Sequence, residues 1–253
     1  MTIRVAVVGA TGRMGRLVCR LIENSTDFEL AAQLGSTSPL NELLGADAVV
    51  DVTIPGVSQS VVDFAIGNGI SVLVGTSGWS SERIAALDRS IATRNTETAT
   101  PVGAIIIPNF SLGSVLATIF AAQAARYFDS IEIVEAHHSA KVDSPSGTAV
   151  RTAELIGAAR AQLGPVLAAH SDQRARGQLV SSVPIHSLRM NGVVAKQDVI
   201  LGGIGELLTI SHETLDQSSY EAGIMLALRA LATTTGVTVG LDSLLGLATA
   251  QNT

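Results

Sequence analysis

Between residues 3 and 109 two hydrophobic patterns alternate. Short apolar runs, IRVAVV (3–8), DAVVDVT (47–53), ISVLVGT (70–76) and GAIIIPN (103–109), are rich in β-branched residues. Runs of this kind predict strands buried on both faces. Residues 28–34 predict another strand. Between the runs, Leu17, Val18, Leu21 and Ile22 recur at helical spacing, and residues 57–68 and 81–93 also predict helices. Strands alternating with helices predict βαβ units and a parallel, doubly wound sheet.

After Asn109 the pattern changes. A long helix is predicted over about 112–128, a strand over SIEIVEAH (130–137) and a helix from 147 to about 163. The polar stretch SDQRARGQ (171–178) has no periodicity and predicts a loop. Three strand-like runs follow: SSVPIHSLRM, VVAKQDVIL and GELLTISHE. They are adjacent with no crossover helix between them, so antiparallel pairing is expected. Residues 218–232 predict an amphipathic helix with Ile224, Met225, Leu228 and Leu231 on one face. The expected fold class is α/β: a Rossmann-type doubly wound parallel sheet domain, plus an α+β domain with a mixed, mostly antiparallel sheet.

At 253 residues the chain lies at the upper edge for one core, which favours two domains. A net charge of -6 argues against a nucleic-acid partner. No apolar stretch reaches the ~18 residues of a membrane span, and the N-terminus lacks a signal-peptide pattern. The single cysteine, Cys19, permits no intrachain disulfide and fits a cytoplasmic protein.

The loop Gly9-Ala10-Thr11-Gly12-Arg13-Met14-Gly15 joins the first predicted strand to the first helix. Its glycines permit positive φ and let the backbone approach a pyrophosphate at a helix N-terminus. About 20 residues on, where an acid would bind a ribose 2′-hydroxyl, stands Gly35, and residues 33 to 37 hold no carboxylate. Ser36, Thr37 and Arg13 could instead meet a 2′-phosphate, so NADPH is expected to serve at least as well as NADH. Gly75-Thr76-Ser77-Gly78 and Ile107-Pro108-Asn109-Phe110 end later strands, where ligands bind in open α/β sheets. Both are candidates for the nicotinamide half of the site.

The densest chemistry lies in EAHHSAKVDSPSGTAV (135–150). His137 and His138 follow a strand, so their side chains should point to opposite sides. Lys141 is one of two lysines, the other being Lys196. Neighbouring cations depress each other's pKa, which favours proton donation near neutral pH. Ser146-Gly147-Thr148 opens a helix, and its N–H groups, hydroxyls and dipole form an anion cradle. Cys19, Glu135 and Asp143 form no recognisable zinc set, so no metal is expected. Together these residues point to a small acid, held by its carboxylate and protonated as a hydride arrives. His170, His186, His212 and Lys196 are read as surface or satisfied core residues.

E-x-H-H-x-x-K-x-D-x-P-S-G-T-A closely resembles the signature of the 4-hydroxy-tetrahydrodipicolinate reductase family. VVGATGRMG, DVTIP, VGTSG, IPNFSLG and GELLTISHETLDQSSYEAGIMLALR agree in order, so the likeness spans nearly the whole chain. The resemblance implies that His137 is a catalytic proton donor and acceptor, and Lys141 a proton donor. It implies substrate contacts at His138, Ser146, Gly147 and Thr148. Cofactor contacts are implied at Gly9, Ala10, Thr11, Gly12, Arg13, Met14, Gly75, Thr76, Ser77, Ile107, Pro108, Asn109 and Phe110. The implied domains are 1–109, completed by 217–253, for the dinucleotide, and 110–216 for substrate and assembly into a homotetramer. The implied reaction reduces a cyclic dicarboxylate to tetrahydrodipicolinate with loss of water, using NADPH or NADH, in diaminopimelate and lysine biosynthesis. Hinge closure between the domains is expected to exclude water. Ser144 stands where alanine is common, a small change of little expected effect. The competing readings are a nucleotide-sensing binding protein on the same fold and a reductase of another small carboxylic acid.

Overall fold

The computed structural model describes residues 2–247, so residues 248–253, the end of the stretch assigned to the first domain, lie outside the described residues. The chain divides into two compact units: residues 2–111 with 220–247, and Leu112–Ser219.

The first unit begins with β1 (Ile3–Val8), α1 (Arg13–Glu23), β2 (Phe28–Leu34), β3 (Ala48–Asp51), α2 (Pro55–Gly67), β4 (Ser71–Val74), α3 (Ser81–Glu97) and β5 (Gly103–Ile106). The second unit holds α4 (Leu112–Ala124), β6 (Ser130–His137), α5 (Gly147–Ala159), β7 (Gln178–Val180), β8 (Val183–Arg189), β9 (Ala195–Gly203) and β10 (Glu206–Thr214). The chain then adds α6 (Glu221–Leu231) and β11 (Gly236–Val239) to the first unit.

Among the described residues the first unit's sheet runs β11-β5-β4-β3-β1-β2, all parallel. Its inner strands are buried on both faces, as the unbroken apolar runs require: Val5, Ala6, Val7, Val49, Val50, Val72, Leu73 and Val74 are all fully inaccessible. Burying one such valine or leucine side chain contributes about 1.5–3 kcal/mol. Helix α3 runs four residues past its predicted end, to Glu97. β11 was not expected; GVTV is short, and it pairs with β5 along the sheet edge.

The second unit's sheet has the order β10-β9-β6-β8-β7. β9 pairs antiparallel with β6 and β10, and β7 pairs antiparallel with β8. β6 and β8 are parallel, and β6 lies between β8 and β9. The expected antiparallel pairing of the first two late runs is therefore corrected. Helix α5 provides the crossover that a parallel pair needs, which frees β9 to pair on the other edge of β6. α5 ends at Ala159, earlier than expected, and Arg160 at its end donates to the carbonyls of Ala125 and Phe128. On β6 the side chains of Ile131, Ile133, Glu135 and His137 share one face, the first three fully buried. That alternation carries a carboxylate into an apolar stripe and sets up the site.

Candidate active site

In the first unit, backbone hydrogen bonds extend the ladder beyond the strands: Val52 N–H to the Val8 carbonyl at 3.0 Å, Gly75 to Asp51 at 2.8 Å and Ile107 to Val74 at 2.8 Å. The three cofactor-candidate loops, after β1, β4 and β5, therefore leave the same edge of one parallel sheet. Gly9 has φ +86, and an added Cβ would lie 2.6 Å from the Val52 carbonyl oxygen, so both conformation and space demand glycine. A Cβ on Gly75 would lie 2.6 Å from the Phe110 ring, so bare backbone lets the 75–78 and 107–110 loops meet. Thr76 is buried and donates to the Asp51 carbonyl at 3.4 Å; Asn109 Oδ1 accepts the Ser111 N–H at 2.9 Å.

The donor set fits a dinucleotide. Gly12 begins α1 without a side-chain cap, and no acidic residue stands in the first turn. By contrast, Ser80 and Ser146 cap α3 and α5. The first N–H groups of α1 are thus free for an anion at the positive end of the helix dipole. Thr11, Gly12 and Arg13 are exposed beside them, while Met14 is half-buried. After β2, Ser38 Oγ accepts the Gly35 N–H at 3.2 Å, closing a turn without a carboxylate.

In the second unit, Glu135 is fully buried and bound from several sides. Arg189 donates Nη1 to Oε2 and Nη2 to Oε1, each at 2.9 Å, and the Ser146 N–H donates to Oε1 at 3.2 Å. His137 Nδ1 lies 2.6 Å from Oε2. Burial alone would raise the Glu135 pKa; the bonds from Arg189, Ser187 and His137 outweigh it and hold the carboxyl below the usual range. Burial pushes the His137 ring below its ordinary value. Glu135 acts the other way, but Arg189 already balances its charge, and Lys141 and Arg189 add smaller downward pushes. The expected effect of neighbouring cations on His137 is thus present, but burial is the larger cause.

A turn closed by the Lys141 N–H on the His138 carbonyl, at 3.0 Å, returns the chain beside His137. Lys141 Nζ lies 2.8 Å from Asp143 Oδ1, and this ammonium holds Asp143 below the usual carboxylate range. His138 is exposed. The Ser146 hydroxyl is spent on capping, accepting the Ala149 N–H at 3.3 Å. Gly147 is exposed with open space around it, and Thr148 is half-buried. The open N–H groups of α5 are therefore those of Gly147 and Thr148.

Arg189 escaped the sequence reading. It stands 54 residues beyond Glu135 and reaches it because His137 and Arg189 are register partners on parallel β6 and β8. The signal was on β6 itself: a glutamate in phase with Ile131 and Ile133 needs a buried partner. His186, read as bland, has Nε2 2.7 Å from Glu132 Oε2, a carboxylate that also accepts from Arg176. Among the described residues no group of three or more His, Cys, Asp or Glu side chains could hold a metal ion. No helix among them is long and apolar enough to cross a membrane.

The N-terminal profile of dihydrodipicolinate reductase matches residues 3–110 and its C-terminal profile residues 113–245. This chain belongs to the dihydrodipicolinate reductase family. It is 64% identical to the 4-hydroxy-tetrahydrodipicolinate reductase of Clavibacter michiganensis, over 98% of this chain and 87% of that one. It is 46% identical to the Streptomyces griseus enzyme of the same name, over 97% and 98%. A dipicolinate-bound dihydrodipicolinate reductase from Paenisporosarcina superposes with a TM-score of 0.82 at 27% identity, covering 96% of this chain and 99% of that one.

Proposed function

We propose that this chain reduces 4-hydroxy-tetrahydrodipicolinate to tetrahydrodipicolinate with loss of water, in diaminopimelate and lysine biosynthesis. The carrying observation is the joining of His137, through Glu135, to the N-terminus of α5. One carboxylate accepts from both the His137 ring and the Ser146 N–H, so a proton-transfer group and an anion cradle are built as one piece. A substrate carboxylate binds the N–H groups of Gly147 and Thr148 and the Thr148 hydroxyl, with His138 alongside. Lys141 supplies the proton that the reduced ring takes up, and His137 shares in proton transfer. The cation of Lys141 also offsets the substrate's negative charge.

NADPH or NADH supplies a hydride when bound. It would be held by the uncapped start of α1 with Gly9, Ala10, Thr11, Gly12, Arg13 and Met14, and by Gly75, Thr76, Ser77, Ile107, Pro108, Asn109 and Phe110. The turn after β2 holds no acid and Arg13 is exposed, which supports NADPH serving at least as well as NADH. Copies associate into a homotetramer in the cytoplasm through the second unit's sheet, where Leu207 and Leu208 are exposed on β10.

The test is coenzyme oxidation with the product of the preceding enzyme as substrate. Substrate-dependent oxidation yielding tetrahydrodipicolinate is expected. Tight coenzyme binding without turnover would point to a nucleotide sensor. Arg13→Ala should weaken NADPH more than NADH; equal effects, or a strong native preference for NADH, would refute the cofactor reading.

A further inference from the structure

The Glu135 carboxylate is 0% exposed, and its one fully charged neighbour is Arg189. Arg189 meets both oxygens at 2.9 Å, and Ser146 adds a third donor. A carboxylate in such a two-pronged contact is ionised, and an ionised carboxylate only accepts. The 2.6 Å contact between His137 Nδ1 and Glu135 Oε2 must then carry its proton on Nδ1. A neutral imidazole has a single N–H. Nε2, on the opposite edge of the ring, is left with a lone pair.

We propose that Glu135 and Arg189 are positioning residues that hold His137 as the Nδ1–H tautomer, so that Nε2 meets the substrate as a proton acceptor and Lys141 is the resting proton donor. Glu135 sets the tautomer through the hydrogen bond it accepts. Arg189 keeps that carboxylate charged and fixes its plane with both prongs, while also donating to the Asp143 carbonyl at the end of the Lys141 turn. The charged groups around the ring are therefore Glu135 on β6, Arg189 on β8, and Lys141 with its partner Asp143 in the loop. His137 can give a proton only after taking one. This inference rests on placing His137 and Lys141 at the substrate site.

The test is nitrogen NMR of the imidazole rings in the full chain without ligands near pH 7, with His137 identified by its loss in His137→Gln. The proposal expects a protonated Nδ1 and an unprotonated Nε2. Glu135→Gln should move the ring toward the Nε2–H tautomer and lower kcat by at least about tenfold, with a much smaller change in KM. Arg189→Lys keeps a charge beside Glu135 and should retain the tautomer. A native ring protonated on Nε2 overturns the proposal, even if the variants do not fold. So does Glu135→Gln with native tautomer and native kcat. The NMR result stands apart from the identity of the substrate: a correct tautomer with no turnover of 4-hydroxy-tetrahydrodipicolinate would defeat the functional reading alone.

Discussion

The backbone N–H of Ser146 donates to Glu135 Oε1 at 3.2 Å. That bond ties the start of α5 to the end of β6, and so ties the proposed anion cradle to the His137 ring. Ser146 has a second use, because its hydroxyl caps α5 through the Ala149 N–H. Ser146→Ala keeps the first bond and loses the second. Stability should fall by about 1 kcal/mol, within the usual 0.5–2 kcal/mol for a lost cap. Urea denaturation checks this; an unchanged midpoint would mean that the cap contributes nothing.

Gly147 separates binding from folding. A Cβ there meets no atom within 4 Å, so Gly147→Ala should fold with stability within about 1 kcal/mol of the native chain. The methyl would occupy the open space where a substrate carboxylate is expected. KM should rise while thermal melting stays near native; an unchanged KM would remove Gly147 from the substrate site.

Gly75 tests the other unit. The Cβ of Gly75→Ala would sit 2.6 Å from the Phe110 ring and 3.1 Å from the Val52 side chain. Overpacking should cost about 1–3 kcal/mol and part the two loops. Coenzyme affinity should weaken in a titration followed by fluorescence of Trp79, the single tryptophan. Native affinity with native stability would show that these loops need not meet.

Acid should weaken the fold in two stages. Burial pushes His137 and His212 below the ordinary 6.5. The unfolded chain therefore binds more protons than the folded one as pH falls through 6.5, and stability drops. Glu135, held below 4.5 by donors that outweigh its burial, contributes fully above 4.5 and loses that contribution as pH falls toward its folded value. Urea melts at pH 8, 6 and 4 should show declining stability at each step, with a shallower first step in His137→Gln. A gain in stability from pH 8 to 6 would contradict both histidine environments.

Local chemistry was legible in the sequence wherever neighbouring residues did the work. The glycine loop, the two later turns and the His137–Lys141 segment were all readable as motifs, because each lies within one strand–turn–helix stretch. What needed register was not. Arg189 meets Glu135 only because α5 carries the chain over to a parallel β8, and nothing local distinguishes that pairing from a simple meander. β11 is four residues long, too short for a period to show. The in-phase Ile131, Ile133 and Glu135 carry the pattern of a buried carboxylate, a signal the sequence reading passed over.

Lys141 offers the most direct measurement. Its ammonium is the proposed resting proton donor, and its side chain is 23% exposed, enough for a small amine to reach its place. Turnover of Lys141→Ala should be measured alone and with added primary alkylamines. A fall of at least about 100-fold, partly restored in proportion to the alkylammonium present, is the predicted result. Near-native turnover without any amine would contradict the account.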